Sequence, residues 1–320
     1  MTAVLRLGTR GSALALAQAT GVAADLTALT GRQVELVQIS TKGDTSSEPL
    51  DQIGGTGVFV SALREALLDG RIDLAVHSLK DLPTADAPGL VIAAVPPRED
   101  PRDALITRDG LMLGELRPGA KLGTGSPRRM AQLQALGFGL EIVGVRGNVD
   151  TRLRKVAAGE LDGVVLARAG LARLGRLAEI SEVLDPIQML PAPGQGALAV
   201  ECRAPDTDVA AAELCALLAG LNDPDTRAVV TAERALLATL EAGCTAPVGA
   251  LGEAITGDDE YEDELYLRAI ALSTDGSDSV KLSVTGPLAD AEALGRKLAD
   301  EMLSEGAKDL MTDGSWEHQE

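Results

Sequence analysis

The chain has 320 residues, a formal net charge of −19, 45% hydrophobic residues and 2% aromatic residues, so Leu, Val, Ile and Ala must build its core. Its two histidines, and its three cysteines without a C-x-x-C pair, argue against a His-rich metal centre, a zinc knuckle and a disulfide framework. The acidic balance argues against a nucleic-acid surface, which normally accompanies a basic domain.

The N-terminal segment predicts neither a signal peptide nor a membrane span. Its apolar run is too short for a signal sequence, and Arg6 and Arg10 interrupt it. We expect no stretch with the roughly 18 apolar residues that a membrane-spanning helix needs. The chain is therefore expected to be cytoplasmic, with neither a membrane nor a nucleic acid as its partner.

The chain contains a loose internal repeat. Three pairs of segments match in the same order: 7–19 with 122–135, 34–44 with 140–150, and 70–78 with 159–167. Each copy predicts the order strand, tight turn, helix, strand, loop, helix and strand. Apolar runs such as VELVQI and LDGVVLA indicate buried parallel strands, and strands that alternate with helices are typical of an α/β domain. The repeat therefore predicts two α/β lobes.

Two Pro-rich segments predict where the chain crosses between these lobes, PPREDPRD at 96–103 and PAPGQG at 191–196. Two such crossings favour a ligand-binding cleft between the lobes. From residue 222 onward, a helix, a pair of strands and a closing helix predict a small α+β domain. The predicted divisions are 1–97 with 197–218 for domain 1, 102–191 for domain 2 and 222–320 for domain 3.

Basic side chains are concentrated in one part of this acidic chain. Between residues 121 and 155 there are seven of them, against Glu141 and Asp150: Lys121, Arg128, Arg129, Arg146, Arg152, Arg154 and Lys155. Arginine binds carboxylates and phosphates through a planar fork of donors. The cluster predicts a pocket for a small polyanion, and the alternative is a solvated helix face with ordinary ion pairs.

In both lobes, the first strand ends in Gly-Thr, and a serine follows at the expected N-cap of a helix. These serines are Ser12 and Ser126, and Pro127 suits the first helical position. A helix N-terminus is a favourable place for an anion. Because Arg10, Arg128 and Arg129 lie in or beside these turns, we expect anion sites there. Arg146 follows a strand and Arg152 begins a helix, so both could converge on one cleft.

A second group of polar residues lies in the segment DLAVHSLKDLP at 73–83, where an apolar strand is expected to end. Lys80 could bind a carboxylate, and Asp81 could move protons or hold an N–H cation, although the residues alone favour an ordinary surface turn. His77 is expected to be a core histidine. Segment 40–59 is long enough to be a lid or a disordered segment, and Phe59 could belong to the core or stack on a flat ligand. Cys202 and Cys215 are expected to be buried, whereas Cys244 follows Gly243 on a loop, where a thiol can be alkylated.

These motifs together resemble the hydroxymethylbilane synthase family, which is also called the porphobilinogen deaminase family. The matching stretches run in the family's order across residues 5–250: LGTRGSALALAQA, STKGD, GVFV, DLAVHSLKDLP, PPREDPRDAL, GTGSPRR, VRGNVDTRL, LARAGLARLG, PAPGQGALAVECR and GCTAPVGA. Residues 251–320 contain few motifs that match the family. The resemblance implies a monomer of three domains, the first two of them like a periplasmic binding protein.

The resemblance also implies a transferase that condenses four porphobilinogen molecules with loss of ammonia. The chain would grow on a dipyrromethane cofactor held through a thioether to Cys244, and hydrolysis would release the linear tetrapyrrole. Asp81 matches the family's catalytic aspartate. The residues implied to bind the cofactor are Cys244, Lys80, Asp81, Ser126, Arg128, Arg129 and Arg146. The residues implied to bind the substrate are Arg10, Ser12, Phe59, Arg146, Arg152 and Arg173. No metal is implied.

Two departures from the family pattern concern the predicted lid. Thr56 stands where many relatives carry a lysine, and Ser61-Ala62-Leu63-Arg64 replaces a frequent Lys-Glu-Leu-Glu. A competing interpretation is a two-lobed module that binds anions without catalysis. The repeat and the arginines fit it equally well, but it gives no reason for Cys244 on a loop or for Asp81 beside Lys80.

Overall fold

The computed structural model describes residues 4–39, 60–242, 246–257 and 262–312. It divides into two compact units, the first built from residues 1–99 with 196–227 and the second from 100–195 with 228–320. Two of the boundaries fall in the segments 96–103 and 191–196 that the sequence predicts as crossings. The division into three domains stays a prediction, because the second unit holds two separate sheets.

The first unit contains one five-stranded sheet with the order β2-β1-β3-β10-β4. Its strands are β1 (Leu5–Thr9), β2 (Val34–Gln38), β3 (Leu74–Ser78), β4 (Leu90–Ala94) and β10 (Leu198–Arg203). Its helices are α1 (Ala13–Thr30), α2 (Ser61–Leu68), α6 (Val209–Leu218) and the first turn of α7 (Pro224–Thr239). The strands β1, β2 and β3 are parallel, whereas β10 runs antiparallel to both of its neighbours.

The second unit repeats this arrangement in a sheet with the order β7-β6-β8-β5-β9. Its strands are β5 (Asp103–Thr107), β6 (Lys121–Thr124), β7 (Glu141–Gly144), β8 (Gly163–Ala167) and β9 (Glu182–Val183). Its helices are α3 (Pro127–Ala135), α4 (Val149–Ala157) and α5 (Arg168–Arg173). Here β6, β7 and β8 are parallel and β5 is antiparallel to β8. The parallel strands predicted from the repeat are therefore confirmed.

A third sheet, also in the second unit, is antiparallel with the order β11-β12-β13. It comprises β11 (Val248–Ile255), β12 (Glu264–Leu272) and β13 (Ser279–Pro287), and it packs against α7, α8 (Ala291–Ser304) and α9 (Ala307–Thr312). Leu236, Leu265, Leu267 and Leu298 are fully buried in this core. The predicted fold class, α/β with a small C-terminal α+β part, is confirmed, and β11 is an additional strand.

The third sheet packs directly against helix α3. Ala131 of α3 shares a buried apolar cluster with Leu251 and Ile270 of the third sheet. In the β12–β13 turn, a Cβ added to Gly276 would lie 2.3 Å from the Ala131 carbonyl oxygen. This approach requires glycine, whose φ there is +73°. The helix that begins with Pro127 and Arg128 is thus held by the part of the chain that follows residue 245.

Replacing Gly276 by alanine should lower the free energy of unfolding by about 2–4 kcal/mol, because the substitution adds a backbone clash to the strain of a positive φ. Gly137 is a matched control, since its φ is +69° but nothing lies within 4 Å of an added Cβ. Gly137→Ala should cost about 1 kcal/mol from backbone strain alone. Denaturant unfolding of both variants measures the difference. Equal losses would contradict the tight packing of the turn on α3.

Helix α1 corrects one expectation from the sequence. It has 18 residues and a mean hydropathy of 1.2, which is enough by length and composition for a membrane span. A core helix of a globular domain can have the same length and hydropathy. Ala19, Val22 and Leu26 of α1 are buried in the core of the first sheet. The side of α1 that faces the sheet therefore accounts for part of its apolar composition.

Candidate functional site

Both predicted helix starts are confirmed. Ser12 is the N-cap of α1, and its Oγ accepts a hydrogen bond from the Ala15 amide at 3.3 Å. Ser126 is the N-cap of α3, with Pro127 in the first turn, but its hydroxyl makes no capping hydrogen bond. The Ser126 hydroxyl is thus not engaged in closing its own helix, which suits a residue that binds a ligand at a helix N-terminus.

Arg128 and Arg129 lie below the surface and share one carboxylate. Arg128 Nη2 donates to Asp103 Oδ2 at 2.8 Å, and Arg129 Nη2 donates to Asp103 Oδ1 at 2.8 Å. Asp103 is fully buried, and the two arginines are 2% and 5% exposed. Both arginines are thus anchored in the protein interior by Asp103, a residue that no motif in the sequence marks.

The remaining contacts of the two arginines are with backbone carbonyl groups and with Gln195, whose Oε1 accepts from Arg129 Nη2 at 3.4 Å. Arg128 Nη1 donates to the Leu190 oxygen, and Arg129 Nη1 donates to the Val165 oxygen at 3.1 Å. The Nε atoms of both arginines are buried and have no hydrogen-bond partner among the described residues. Each guanidinium therefore has a donor that the protein leaves unsatisfied, which normally costs stability unless a ligand or water accepts from it.

Arg152 extends this group. Its Nε donates to the Gly147 oxygen at 2.9 Å, and its Nη2 would lie 3.4 Å from a Cβ at Gly125, in the turn that starts α3. Burial, and then the charge of Arg129, lower the pKa of Arg152. We call Arg128, Arg129, Arg152 and Asp103 the arginine cluster. Among the residues that the structure describes, Asp103 is the one carboxylate paired with Arg128 and Arg129.

The electrostatics of Asp103 reflect this surplus of positive charge. Burial alone would raise its pKa, but the charges of Arg128 and Arg129, with hydrogen bonds from Arg129 and Gln195, hold the pKa well below its ordinary value. Burial lowers the pKa of Arg128, Asp103 opposes that shift, and Arg129 adds to it. The lowered pKa keeps the carboxylate ionised at neutral pH, where its one negative charge stands against the three positive charges of the arginine cluster.

The other two predicted arginines of the second unit lie elsewhere on its helices and turns. Arg146 is exposed in the turn between β7 and α4, and Arg173 is half-buried as the last residue of α5. The structure thus brings together Arg128, Arg129, Arg152 and the turn at Ser126. Arg146 and Arg173 do not contact Asp103, which pairs with Arg128 and Arg129.

In the first unit, the predicted polar residues follow neighbouring parallel strands. Arg10 and Ser12 come after β1, and Lys80 and Asp81 form a short 3₁₀ helix directly after β3. Since β1 and β3 are parallel, these residues emerge at the same edge of the sheet. Lys80 is half-buried and Asp81 is exposed. An exposed carboxylate at a strand end is available to a ligand.

The strand that leads to Asp81 is fixed from both sides. Gln18 of α1 donates to the Ser78 hydroxyl at 3.0 Å. His77 Nε2 lies 3.2 Å from Glu201 Oε2, although without good hydrogen-bond geometry, and Arg64 pairs with the other oxygen of Glu201 at 2.9 Å. Burial raises the pKa of Glu201, but the contacts with His77 and Arg64 outweigh burial and lower it. His77 is buried, as expected of a core histidine.

Of the two cysteines that the sequence predicts to be buried, one is fully buried and the other is only partly buried. Cys202 is buried and Cys215 is half-buried, with their Sγ atoms 3.3 Å apart. Burial, with the neighbouring Cys215, raises the pKa of the Cys202 thiol, which makes it a poor nucleophile. The predicted site residues Cys244 and Phe59, and the departure at Thr56, lie outside the described residues. Within the described ranges, no group of three His, Cys, Asp or Glu residues is placed to hold a metal ion.

Fold and site together define an α/β protein with two similar five-stranded sheets and a buried, positively charged site suited to a small polyanion. The family model described as porphobilinogen deaminase, dipyromethane cofactor binding domain, matches residues 5–211, and the model of the C-terminal domain matches 228–304. The chain belongs to the porphobilinogen deaminase family. The predictions of this family, of an enzyme and of a dipyrromethane cofactor are confirmed.

Relatives with this name match over nearly the whole chain. The porphobilinogen deaminase of Nocardia farcinica is 59% identical over 312 residues, covering 97% of this chain and 88% of the relative. Porphobilinogen deaminase 1 of Streptomyces avermitilis is 58% identical over 327 residues, covering 98% of each. Among solved structures, the VFT2 domain of Bordetella pertussis BvgS matches with a TM-score of 0.40 and 17% identity, covering 68% of this chain and 85% of that domain.

Proposed function

We propose that this chain catalyses the condensation of four porphobilinogen molecules into a linear tetrapyrrole, 1-hydroxymethylbilane. The observation that carries the proposal is the arginine cluster, in which Arg128 and Arg129 share the carboxylate of Asp103 and Arg152 adds a third positive charge near Arg129. Buried charges in proteins are normally paired, because an unpaired one costs several kcal/mol. An anionic ligand would supply the missing negative charge, and each pyrrole unit of the proposed product carries two carboxylates.

The residues of the cluster fit a dipyrromethane cofactor. The buried Nε atoms of Arg128 and Arg129 are unsatisfied donors, and the Ser126 hydroxyl at the start of α3 is not used as a cap. We propose that these residues, with Lys80 and Arg146, bind the acetate and propionate groups of the cofactor, and that the Asp81 carboxylate accepts hydrogen bonds from its pyrrole N–H groups. The thiol of Cys244 would hold the cofactor covalently. When bound, the cofactor supplies the pyrrole carbon to which the first substrate is joined.

Each condensation breaks the C–N bond of the substrate's aminomethyl group and forms a C–C bond between two pyrroles. Ammonia leaves, and the proton of the attacked pyrrole carbon is lost. We propose that the Asp81 carboxylate stabilises the cation left on the substrate, accepts hydrogen bonds from pyrrole N–H groups and assists these proton transfers. Its exposure at the end of β3 supports this role, because a carboxylate there can reach a ligand beyond the sheet edge.

We propose that the residues that the family resemblance implies for the substrate do bind it: Arg10, Ser12, Phe59, Arg146, Arg152 and Arg173. Arg146 would thus contact both the cofactor and the substrate. We further propose that the chain acts as a cytoplasmic monomer of three domains with a cleft between the first two, and that porphobilinogen is its one small-molecule substrate. The common end of the parallel strands β1 and β3, after which Arg10 and Asp81 follow, supports substrate binding by these residues of the first unit.

A direct assay of the purified chain with porphobilinogen tests the proposal. We expect loss of the free pyrrole in a colorimetric test, release of one ammonia for each pyrrole consumed, and a linear tetrapyrrole as the product. A protein that binds porphobilinogen without consuming it would instead be a non-catalytic anion-binding module. That result would contradict the proposed reaction while leaving the arginine cluster as a binding site.

A further inference from the structure

Arg128 and Arg129 are consecutive residues in the first turn of α3, yet their guanidinium groups meet at one point. Neighbouring residues of a helix project about 100° apart, so they do not normally face each other. Here one oxygen of Asp103 accepts from Arg128 and the other accepts from Arg129, both at 2.8 Å. The shared carboxylate is therefore what draws the two side chains together.

Asp103 is itself firmly held. It is the first residue of β5, a strand paired with β8 on one side and β9 on the other, and it is fully buried. Gln195 Nε2 donates to Asp103 Oδ1 at 2.7 Å and to the Pro101 oxygen at 2.7 Å. The carboxylate therefore has little freedom to move, and it can serve as a fixed anchor for side chains that reach it from α3.

An ion pair that served stability alone would be expected to be neutral. This one is not, because two guanidinium groups share one carboxylate and Arg152 adds a third positive charge near Arg129. In addition, the buried Nε donors of Arg128 and Arg129 stay unsatisfied among the described residues. The carboxylate thus fixes the arginines while leaving charge and donors for a further anion. We infer that Asp103 is a positioning residue, which holds Arg128 and Arg129 in the arrangement that receives the carboxylates of the bound pyrrole chain. This inference rests on the proposed function.

The test compares full-length Asp103→Asn with the wild type as purified. The asparagine has the same shape but no charge, so the arginines lose their common anchor. We expect the fraction of molecules that carry a two-pyrrole mass excess to fall more than about tenfold, and the KM of the loaded molecules to rise about tenfold, as is typical when a residue that orients a ligand-binding group is removed. Intact-protein mass spectrometry and steady-state kinetics measure these two quantities.

Asp100→Asn is the matched control. Asp100 is also a paired carboxylate of this segment, bonded to Arg102 at 2.6 Å and 3.3 Å from Arg168, but it does not contact the arginine cluster. Its variant should keep the wild-type mass excess and KM even if its melting temperature falls. An Asp103→Asn protein with a lower melting temperature but a wild-type mass excess and KM would overturn the inference, because Asp103 would then stabilise the fold alone.

A third variant covers the case in which Asp103→Asn does not fold. Asp103→Glu keeps the charge but moves it by one methylene, and we expect reduced loading and a raised KM. Wild-type loading and KM in this variant would also overturn the inference. If the wild type itself carries no mass excess and consumes no porphobilinogen, the proposed function fails. If the wild type is loaded and active while the Asp103 variants match it, the positioning role alone fails.

Discussion

Cys244→Ser should lose activity by about 10³-fold or more and should carry no two-pyrrole mass excess. A serine hydroxyl is a far weaker nucleophile than a thiolate, so the covalent attachment of the cofactor should not form. Without an attached cofactor, the growing chain has no fixed end within the protein. Initial rates with porphobilinogen, together with the intact mass of the same preparation, measure both effects.

Cys215→Ser is the matched control for this substitution. Cys215 is a half-buried thiol on α6, next to Cys202, and it has no proposed role in catalysis. The control should keep its mass excess and its rate. If Cys244→Ser remained as active as the wild type, the thiol would not be the point of attachment, whatever the state of the control.

Asp81→Asn should retain the cofactor, or acquire it slowly, and should turn over about 10²–10⁴-fold more slowly than the wild type. The amide cannot take up a proton or neutralise a cation on the substrate, although it has nearly the same shape. Because Asp81 is exposed at the end of β3, the substitution should change the melting temperature little. Single-turnover kinetics and thermal unfolding separate the chemical effect from any effect on stability.

Asp86→Asn provides the comparison for Asp81. Asp86 is an exposed aspartate five residues further along the same loop, with no proposed role. It should turn over at the wild-type rate. Wild-type turnover in Asp81→Asn would show that Asp81 is a turn residue and no more.

Local patterns predict much of the fold. The apolar runs give the parallel strands β1, β2 and β3 and their counterparts β6, β7 and β8, since the buried strands of a parallel sheet leave a continuous apolar signal. The serines before α1 and α3 mark their N-caps correctly, because capping depends on a few adjacent residues. These features depend on neighbours in sequence, which the sequence displays directly.

The antiparallel strands β5 and β10 are not foreseeable in the same way. Each enters a sheet whose other strands lie elsewhere in the chain, so its direction depends on the path of the whole chain between the lobes. The third strand of the last sheet, β11, is likewise missed. Its sequence, VGALGEAI, has small residues and two glycines, which weaken the usual signal of a strand.

The candidate site shows the same limit at the level of side chains. The sequence displays the arginines but not their partner, since Asp103 lies 25 residues before Arg128 in a charged segment that predicts a hinge. Glu201 is a second case, a buried acid that meets His77 and Arg64. An acidic residue within an otherwise apolar strand, as in DALIT and LAVECR, is a usable signal of a buried ion pair.

The central claim is that this chain builds a polyanionic pyrrole chain on a covalently held cofactor, with buried arginines as the counter-ions. The intact mass of the freshly purified wild-type protein tests it most directly. We predict a mass above that of the 320-residue chain by two pyrrole units, each a porphobilinogen less ammonia. An unmodified mass in a preparation that consumes porphobilinogen would contradict the account.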